Sequence, residues 1–401
     1  MASKALRTTE TQRSASGAER RLHGITGKLA AAHARIADVR ELRSGAFIES
    51  WDALARAAAE PNPFFESWYL LPSLATIDPQ GKVSIIVVEQ AGTLIGLMPL
   101  RQARRYYRHP FPHLRNWVHP NMFLGAPLVR EGHESAFWGA FLAQADSEPG
   151  TALFAHLVEL AGEGPLFDAL AAVCATQDRP AGIVHSYHRA LLQSGLGAEA
   201  YYEQSLRKKR RKELERLARR LGELGNLKLE TAQDDREIEG WIEEFLALES
   251  AGWKGEAGSA LRSASATAKL AREAMAGAAR RKLLHRVTLR LDGRMIGALT
   301  SFMTAPGGFG YKTAYDETYA RFSPGLILQR AFLAILGNDE IQWCDSCAAP
   351  DHPMIDHFWR ERRPILRVNV GIGGALRRSA AKLLLRAESA QPLSQAGGTR
   401  A

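Results

Sequence analysis

Two β-hairpins legible at an offset of 201 residues constrain the fold of this chain more than any other feature. Lys82 to Glu89, Lys-Val-Ser-Ile-Ile-Val-Val-Glu, is β-branched and too short for a typical helix, and the turn Ala91-Gly92 leads into Thr93 to Leu100. Leu283 to Leu291 is similarly β-rich, Asp292-Gly293 is a two-residue turn signal, and Arg294 to Met303 returns. Gly92, Leu94, Ile95 and Gly96 lie over Gly293, Met295, Ile296 and Gly297, and each hairpin follows a helix-like segment carrying Trp. The repeat predicts an ancient duplication and two related halves. A length of 401 residues suits two or three domains, and 46% hydrophobic residues suffice to bury real cores.

Around the hairpins, Glu49 to Ala59 reads as a short amphipathic helix stopped by the turn Pro61-Asn62-Pro63. Leu214, Leu217, Leu221 and Leu224 lie at helical spacing in Ser205 to Leu224, whose other positions are mostly Arg and Lys. This is a linker helix laying a leucine seam on one domain, in preference to a nucleic-acid contact helix. Helices follow at Asp234 to Ser250 and Ala264 to Ala279, and another at Ala375 to Arg386. The expected division is a disordered tail (1–34), an N-terminal half (35–200), the basic linker (201–226), a C-terminal half (227–376), and a last helix and tail (377–401).

Charge narrows the function classes. Lys plus Arg 52 against Asp plus Glu 43 leaves +9, and Arg207 to Arg220 alone holds 9 basic and 2 acidic residues. A local stripe thus accounts for the basic balance, which argues against a whole surface built for nucleic acid or membrane. Cys174, Cys344 and Cys347 are too few and too scattered for a disulfide scaffold, so a reducing compartment is expected. Met1 to Ala30 holds no apolar run suited to a signal peptide, and Val83 to Leu100, the nearest approach to a membrane span, is interrupted by Glu89, Gln90 and two glycines. A soluble, cytoplasmic protein is expected.

Chemistry concentrates between Gly308 and Leu336. Gly308 to Asp316 alternates as a strand, Glu317 to Phe322 forms a loop, and Ser323-Pro324-Gly325 opens a helix with Ser at the N-cap and Pro at the first position. Gly325 leaves the first-turn amides open to a ligand and Arg321 stands just outside, an arrangement suited to phosphate or pyrophosphate; the alternative is an ordinary capped helix behind a core strand.

Strands feeding such a helix, with a further strand at Ile341 to Asp345, follow the order of a GNAT-superfamily acetyltransferase. The likeness sharpens at Leu248-Glu249, Gly252-Trp253-Lys254-Gly255, Tyr311-Lys312-Thr313-Ala314-Tyr315-Asp316 and Tyr319-Ala320-Arg321-Phe322-Ser323-Pro324-Gly325. Ser205, Arg207 and the Arg-rich helix ending at Gly225, Asn62-Pro63-Phe64-Phe65, and Gly96-Leu97-Met98-Pro99-Leu100 fit the same pattern. The chain resembles the bacterial acetyltransferase family associated with cellulose and exopolysaccharide synthesis (CelD/BcsL type), whose tandem GNAT-like halves are similar to Fem-type aminoacyl transferases. The resemblance implies an α/β (α+β) fold with mixed, mostly antiparallel sheets flanked by helices. It also implies acetyl-CoA or another acyl-CoA as co-substrate, no metal, and a small polar or glycan-precursor acceptor from the cell envelope.

Under that resemblance an amine or hydroxyl attacks the thioester directly. Backbone groups around Tyr311 and Thr313 pair with the pantetheine arm, while Arg321, Ser323 and the amides of Gly325 and Leu326 hold the pyrophosphate. The glycine-poor Phe322-Ser323-Pro324 departs from the usual GNAT loop, and an aminoacyl-tRNA donor is the alternative, as is a non-catalytic polyanion contact through Arg207 to Arg220. Asp316 or Asp345 is the candidate base, with turn capping as the competing role, and Tyr315 or Tyr319 the candidate proton donor to the leaving thiolate. Trp253, Lys254 and Lys312 are candidate acceptor contacts, the first two on a glycine-flanked loop. Cys344, Cys347, His352 and His357 approach zinc-knuckle spacing, but Cys344 lies inside a strand and no second Cys pair follows, so no metal is expected; His357 is kept as an alternative base.

Overall fold

The computed structural model describes residues 30–356, 358–388 and 390–395. Most of the expected N-terminal tail, His357, and Gly397 onward lie outside them. The first part of the chain supplies β1 (His33–Ile36), β2 (Ser84–Gln90), β3 (Thr93–Ala103), β4 (His113–Asn116), β5 (Leu128–Val129), β6 (Phe154–Ala161) and β7 (Ala181–Leu192). The second supplies β8 (Leu227–Ala232), β9 (Leu284–Leu291), β10 (Arg294–Thr304), β11 (Gly307–Tyr315), β12 (Trp343–Asp345) and β13 (Glu361–Gly371). β1 starts inside the segment expected to be tail.

All the strands join one sheet in the order β1-β2-β3-β4-β6-β13-β7-β12-β11-β10-β9-β8, with β5 against β3. Most pairs are antiparallel; β4 with β6 and β11 with β12 are parallel. This is the mixed α/β architecture with a mostly antiparallel sheet and flanking helices that the resemblance implied. The last strand of each half sits among the strands of the other: β13 lies between β6 and β7, and β7 between β13 and β12.

The hairpins confirm the repeat at backbone level. Both turns put two residues at positive φ, Ala91 (50) with Gly92 (76) and Asp292 (50) with Gly293 (82), which matches the right-handed twist of the strands they join. Each hairpin also carries one bulge. Val88 pairs with Gly96 and Glu89 with Leu94, leaving Ile95 over; Leu289 pairs with Gly297 and Arg290 with Met295, leaving Ile296 over. The extra residues stand at the repeat offset, and both are fully buried.

Helices cover the sheet with their apolar faces. Ser67–Ile77 packs on Ser265–Arg280, where Gly277 lies so near Trp68 that a Cβ there would be 3.3 Å from the Trp68 Cβ. The expected linker helix is two: Ala198–Ser205 and Lys208–Gly222, parted where Leu206 turns extended. Arg211 bridges the break, donating to the carbonyls of Glu203 (2.6 Å) and Leu206 (3.1 Å). Leu214 and Leu221 of the seam are buried, whereas Leu224 lies beyond the helix end, exposed. No helix among the described residues is long and apolar enough to cross a membrane.

Candidate active site

The site arises where two parallel strands part. β11 pairs with β10 from Gly307 to Tyr315, but with β12 only at Gly307–Phe309. Beyond Phe309 that edge of β11 has no strand beside it. The chain leaving β12 crosses so near Gly310 that a Cβ there would lie 2.4 Å from the Ser346 carbonyl oxygen, and only glycine permits the crossing. A cavity of about 470 Å³ opens in the wedge, lined by residues 310–315 of β11, Ser346–Ala348, Glu249, Trp253–Lys254, Gln329 and Trp359.

Four buried polar atoms on this wall have no hydrogen-bond partner among the described residues: Tyr311 Oη, Gln329 Oε1, His352 Nδ1 and Trp359 Nε1. Unpaired buried polar groups are costly, and their convergence on one cavity marks it as a place where a ligand or ordered water completes the bonding. Lys312 lines the cavity with no ion pair among the described residues, its Nζ 5.6 Å from the Phe123 ring and 5.8 Å from the Tyr311 ring. Burial pushes its ammonium down to about 8, so it remains largely protonated at neutral pH. The opposite face is fixed by a carboxylate. Glu249, wholly buried, accepts from Lys254 Nζ (3.1 Å) and the Leu261 amide (2.9 Å), and Lys254 also donates to the Thr313 carbonyl (2.9 Å).

Trp253 and Lys254 stand on one helical turn, Trp253–Glu256, where a loop was expected. Gly252 is extended at its start, and the Trp253 amide is capped by the Glu317 carboxylate at 2.7 Å. Tyr311, Lys312, Thr313 and Tyr315 line the same cavity, so six of the anticipated residues come together. The others do not. Asp316 caps its own turn through the Thr318 amide (3.0 Å) and pairs with Arg294, while Asp345, fully buried, pairs with Arg189 (3.3 Å) and Arg363 (3.2 Å). Arg321 is exposed and lies over Phe322.

The helix Pro324–Phe332 begins at the predicted place but differently. Ser323 adopts φ 56 and its side chain makes no cap bond, because it closes the preceding 3-10 turn at Ala320 before the helix starts. The approach expected over Gly325 is covered by Met354, whose Sδ would lie 2.5 Å from a Cβ there; Tyr315 flanks the same spot, and Leu326 is buried beside it.

Glu249, Gln329, His352 and Trp359 were not assigned roles from sequence. For Glu249 a signal existed, an acid five positions before Lys254; the other three are brought in by the helix Pro324–Phe332 and the loop after β12, which no local spacing reveals. Among the described residues no group of three or more His, Cys, Asp or Glu side chains could hold a metal ion.

Residues 208–352 match the family model described as an acetyltransferase (GNAT) domain. No curated protein matches the chain. Among solved structures the crystal structure of FemX is similar, at 9% identity over 84% of this chain and 98% of that one, with a TM-score of 0.54. So are the C-terminal domain of a protein from Agrobacterium fabrum provisionally named a lysylphosphatidylglycerol synthetase (13% identity, 88% and 97% covered, TM-score 0.50) and a conserved protein of unknown function from Bacteroides thetaiotaomicron (12%, 80% and 96%, 0.50). At such identities the likeness is one of fold. The chain thus shares the fold of these structures, and the GNAT match, confined to residues 208–352, spans β11 and β12, between which the cavity lies.

Proposed function

We propose that this protein transfers an acyl group, acetyl in the simplest case, from an acyl-CoA to an amine or hydroxyl of a polar acceptor. The observation that carries the reading is the wedge itself: an unpaired strand edge facing a cavity with four orphaned polar atoms. An acyl-pantetheine arm is extended, carries amides that can pair with such an edge, and ends in a thioester of the size such a cavity takes. Met354 must turn aside for the diphosphate to reach the Gly325 amide, a movement an unbranched side chain makes readily; the Leu326 amide already donates to the Ser323 carbonyl (3.0 Å).

The acceptor attacks the thioester carbonyl carbon, its proton passes to a base, and the carbon–sulfur bond breaks to release the thiol. Burial pushes His352 down, keeping its imidazole neutral and able to take that proton; this makes it a better base than Asp316 or Asp345, which are held in ion pairs. Tyr311, held far above the usual phenol range by burial, stays protonated and donates to the developing oxyanion or the thiolate, a part Tyr315 can share. Burial beside Asp345 also keeps the Cys347 thiol protonated, which favours direct attack over a cysteinyl intermediate. The acceptor class follows the sequence resemblance: a cell-envelope or exopolysaccharide precursor.

Calorimetric titration with acetyl-CoA and longer acyl-CoAs tests the donor. Saturable binding with thiol release is the expected result; tight, strongly salt-dependent tRNA binding with no acyl-CoA affinity overturns it in favour of an aminoacyl-tRNA donor. His352→Gln should leave acyl-CoA affinity within about twofold and slow turnover about a hundredfold, with loss of the acid limb of the pH–rate profile. Wild-type turnover in that variant returns the base to another group.

A further inference from the structure

Residues 101–115, Arg-Gln-Ala-Arg-Arg-Tyr-Tyr-Arg-His-Pro-Phe-Pro-His-Leu-Arg, hold five arginines and no acidic residue. All five, Arg101, Arg104, Arg105, Arg108 and Arg115, are exposed, and none pairs with a carboxylate among the described residues. The run ends β3 and turns back through a bridge between Tyr106 and His109, with Tyr107 at φ 51 on the tip. Two aromatics of the turn face outward: Tyr107 is 61% exposed and Phe111 38%.

The third aromatic ties this turn to the helix Ala375–Ala387. Tyr106 is buried with Phe154, Ala381 and Leu384, and its hydroxyl donates to Glu388 just past the helix end (2.6 Å). At about 100° per residue, Leu376, Ala380, Leu383 and Ala387 form the flank next to Leu384, on the side of the turn. That flank is bare: Leu376 is 89% exposed and Leu383 64%. Lys382 and Arg386, also exposed, lie on the outer side of the helix, opposite Leu384. Four of the ten exposed large hydrophobics among the described residues therefore share one face with the acid-free arginine run.

Arginines and aromatics alone would suit a single-stranded nucleic acid as well, through phosphate contact and base stacking. Two bare leucines one heptad apart on a cationic helix have no use there, whereas a helix lying in a lipid interface buries its leucines among acyl chains while basic side chains meet anionic headgroups. We propose that this face docks on an anionic lipid bilayer, the helix Ala375–Ala387 lying flat in the interface and the Tyr107 turn inserting beside it. The inference stands apart from the acyl-transfer reading and survives its failure.

Cosedimentation of the full chain with vesicles tests it. Binding is expected to phosphatidylcholine vesicles containing phosphatidylglycerol, absent with phosphatidylcholine alone and lost at high salt. Replacing Arg104, Arg105 and Arg108 together with Gln should weaken it about a hundredfold. Leu376→Ser with Leu383→Ser should weaken it about tenfold without changing the salt dependence. Replacing Lys208, Lys209 and Arg210 with Gln should leave it unchanged. All these positions are exposed, and circular dichroism checks that the variants fold. Failure of the wild type to bind the mixed vesicles overturns the proposal, as does loss of binding in the Lys208 set alone. Arginine-dependent tRNA binding without vesicle binding overturns it in favour of a nucleic acid.

Discussion

The parallel pairs β4–β6 and β11–β12 part at the same step of the repeat, yet one wedge is filled and the other opens into the cavity. Leu100 and Ser301 are counterparts at the repeat offset; Leu100 pairs with Asn116 and Ser301 with Gly310. Asn116 fills its wedge with its own amide, which donates to the carbonyls of Gly125 (2.8 Å) and Val158 (2.9 Å) and accepts from the Val158 amide (2.8 Å). Residues 117–127 then leave the sheet and return as β5, where the second half runs straight from Gly310 to Tyr315. This excursion carries Phe123, whose carbonyl accepts from Arg189 (2.6 Å) and whose ring faces Lys312. The half that has lost its own opening thus sets a ring behind a cavity-lining residue of the other. One residue type at the parting step, a plugging amide or a bare glycine, separates scaffold from site.

Converting the open wedge into the filled one should have the largest effect on donor binding. In Gly310→Asn the new Cβ would meet the Ser346 oxygen at 2.4 Å, and the amide would compete for the edge offered to the donor. Acyl-CoA affinity measured by calorimetry should fall at least about a hundredfold, some 2.7 kcal/mol, while circular dichroism retains the mixed signature. Wild-type affinity would separate the donor site from the wedge. The reverse change should act on stability alone: Asn116→Ala leaves the Val158 amide and the carbonyls of Val158 and Gly125 unpaired, and urea denaturation should show a loss of about 4 kcal/mol. Its acyl-CoA affinity should stay within about twofold, since the excursion still occupies the space.

The same contrast shows what could be read without coordinates. Hairpins are local: β-branched runs and an Asp-Gly turn place β2, β3, β9 and β10 to within a few residues, and the glycine spacing even marks the shared bulge at Ile95 and Ile296. The exchange of β7 and β13 is not local, because nothing in either strand's sequence says which half it joins. The site divided along the same line. Tyr311, Lys312 and Thr313 were accessible because they alternate on one strand, whereas His352 and Trp359 reach the cavity only through the course of the loop after β12. Asp345 misled because a strand-end carboxylate looks the same on paper whether it meets solvent or two arginines. The acid-free run at 101–115 was legible in principle, but the denser stripe at Arg207 to Arg220 masked it.

The smaller effect on stability should come from Lys312, which marks the functional burden of the open half. Thr300 pairs with Lys312, while its counterpart Pro99 accepts from the amide of Trp117, an indole buried without charge. The Lys312 ammonium faces Glu249 and Lys254 from the helical side, and the Tyr311 and Phe123 rings and neutral His119 from the other; Glu249 is already engaged, so burial prevails and lowers its pKa to about 8 from 10.5. Below about pH 8 both folded and unfolded chains carry this proton, and the lost hydration weighs on the fold in full. Between there and 10.5 the unfolded chain binds more protons, so stability rises with pH as the burden lifts. Lys312→Met should therefore stabilise the protein at pH 7 by about 2 to 3 kcal/mol, with the advantage shrinking to nothing as pH approaches 10.5. Urea midpoints across that range measure it. A constant difference between the two proteins would mean that the ammonium has found a counter-charge, and that the open wedge carries no such burden.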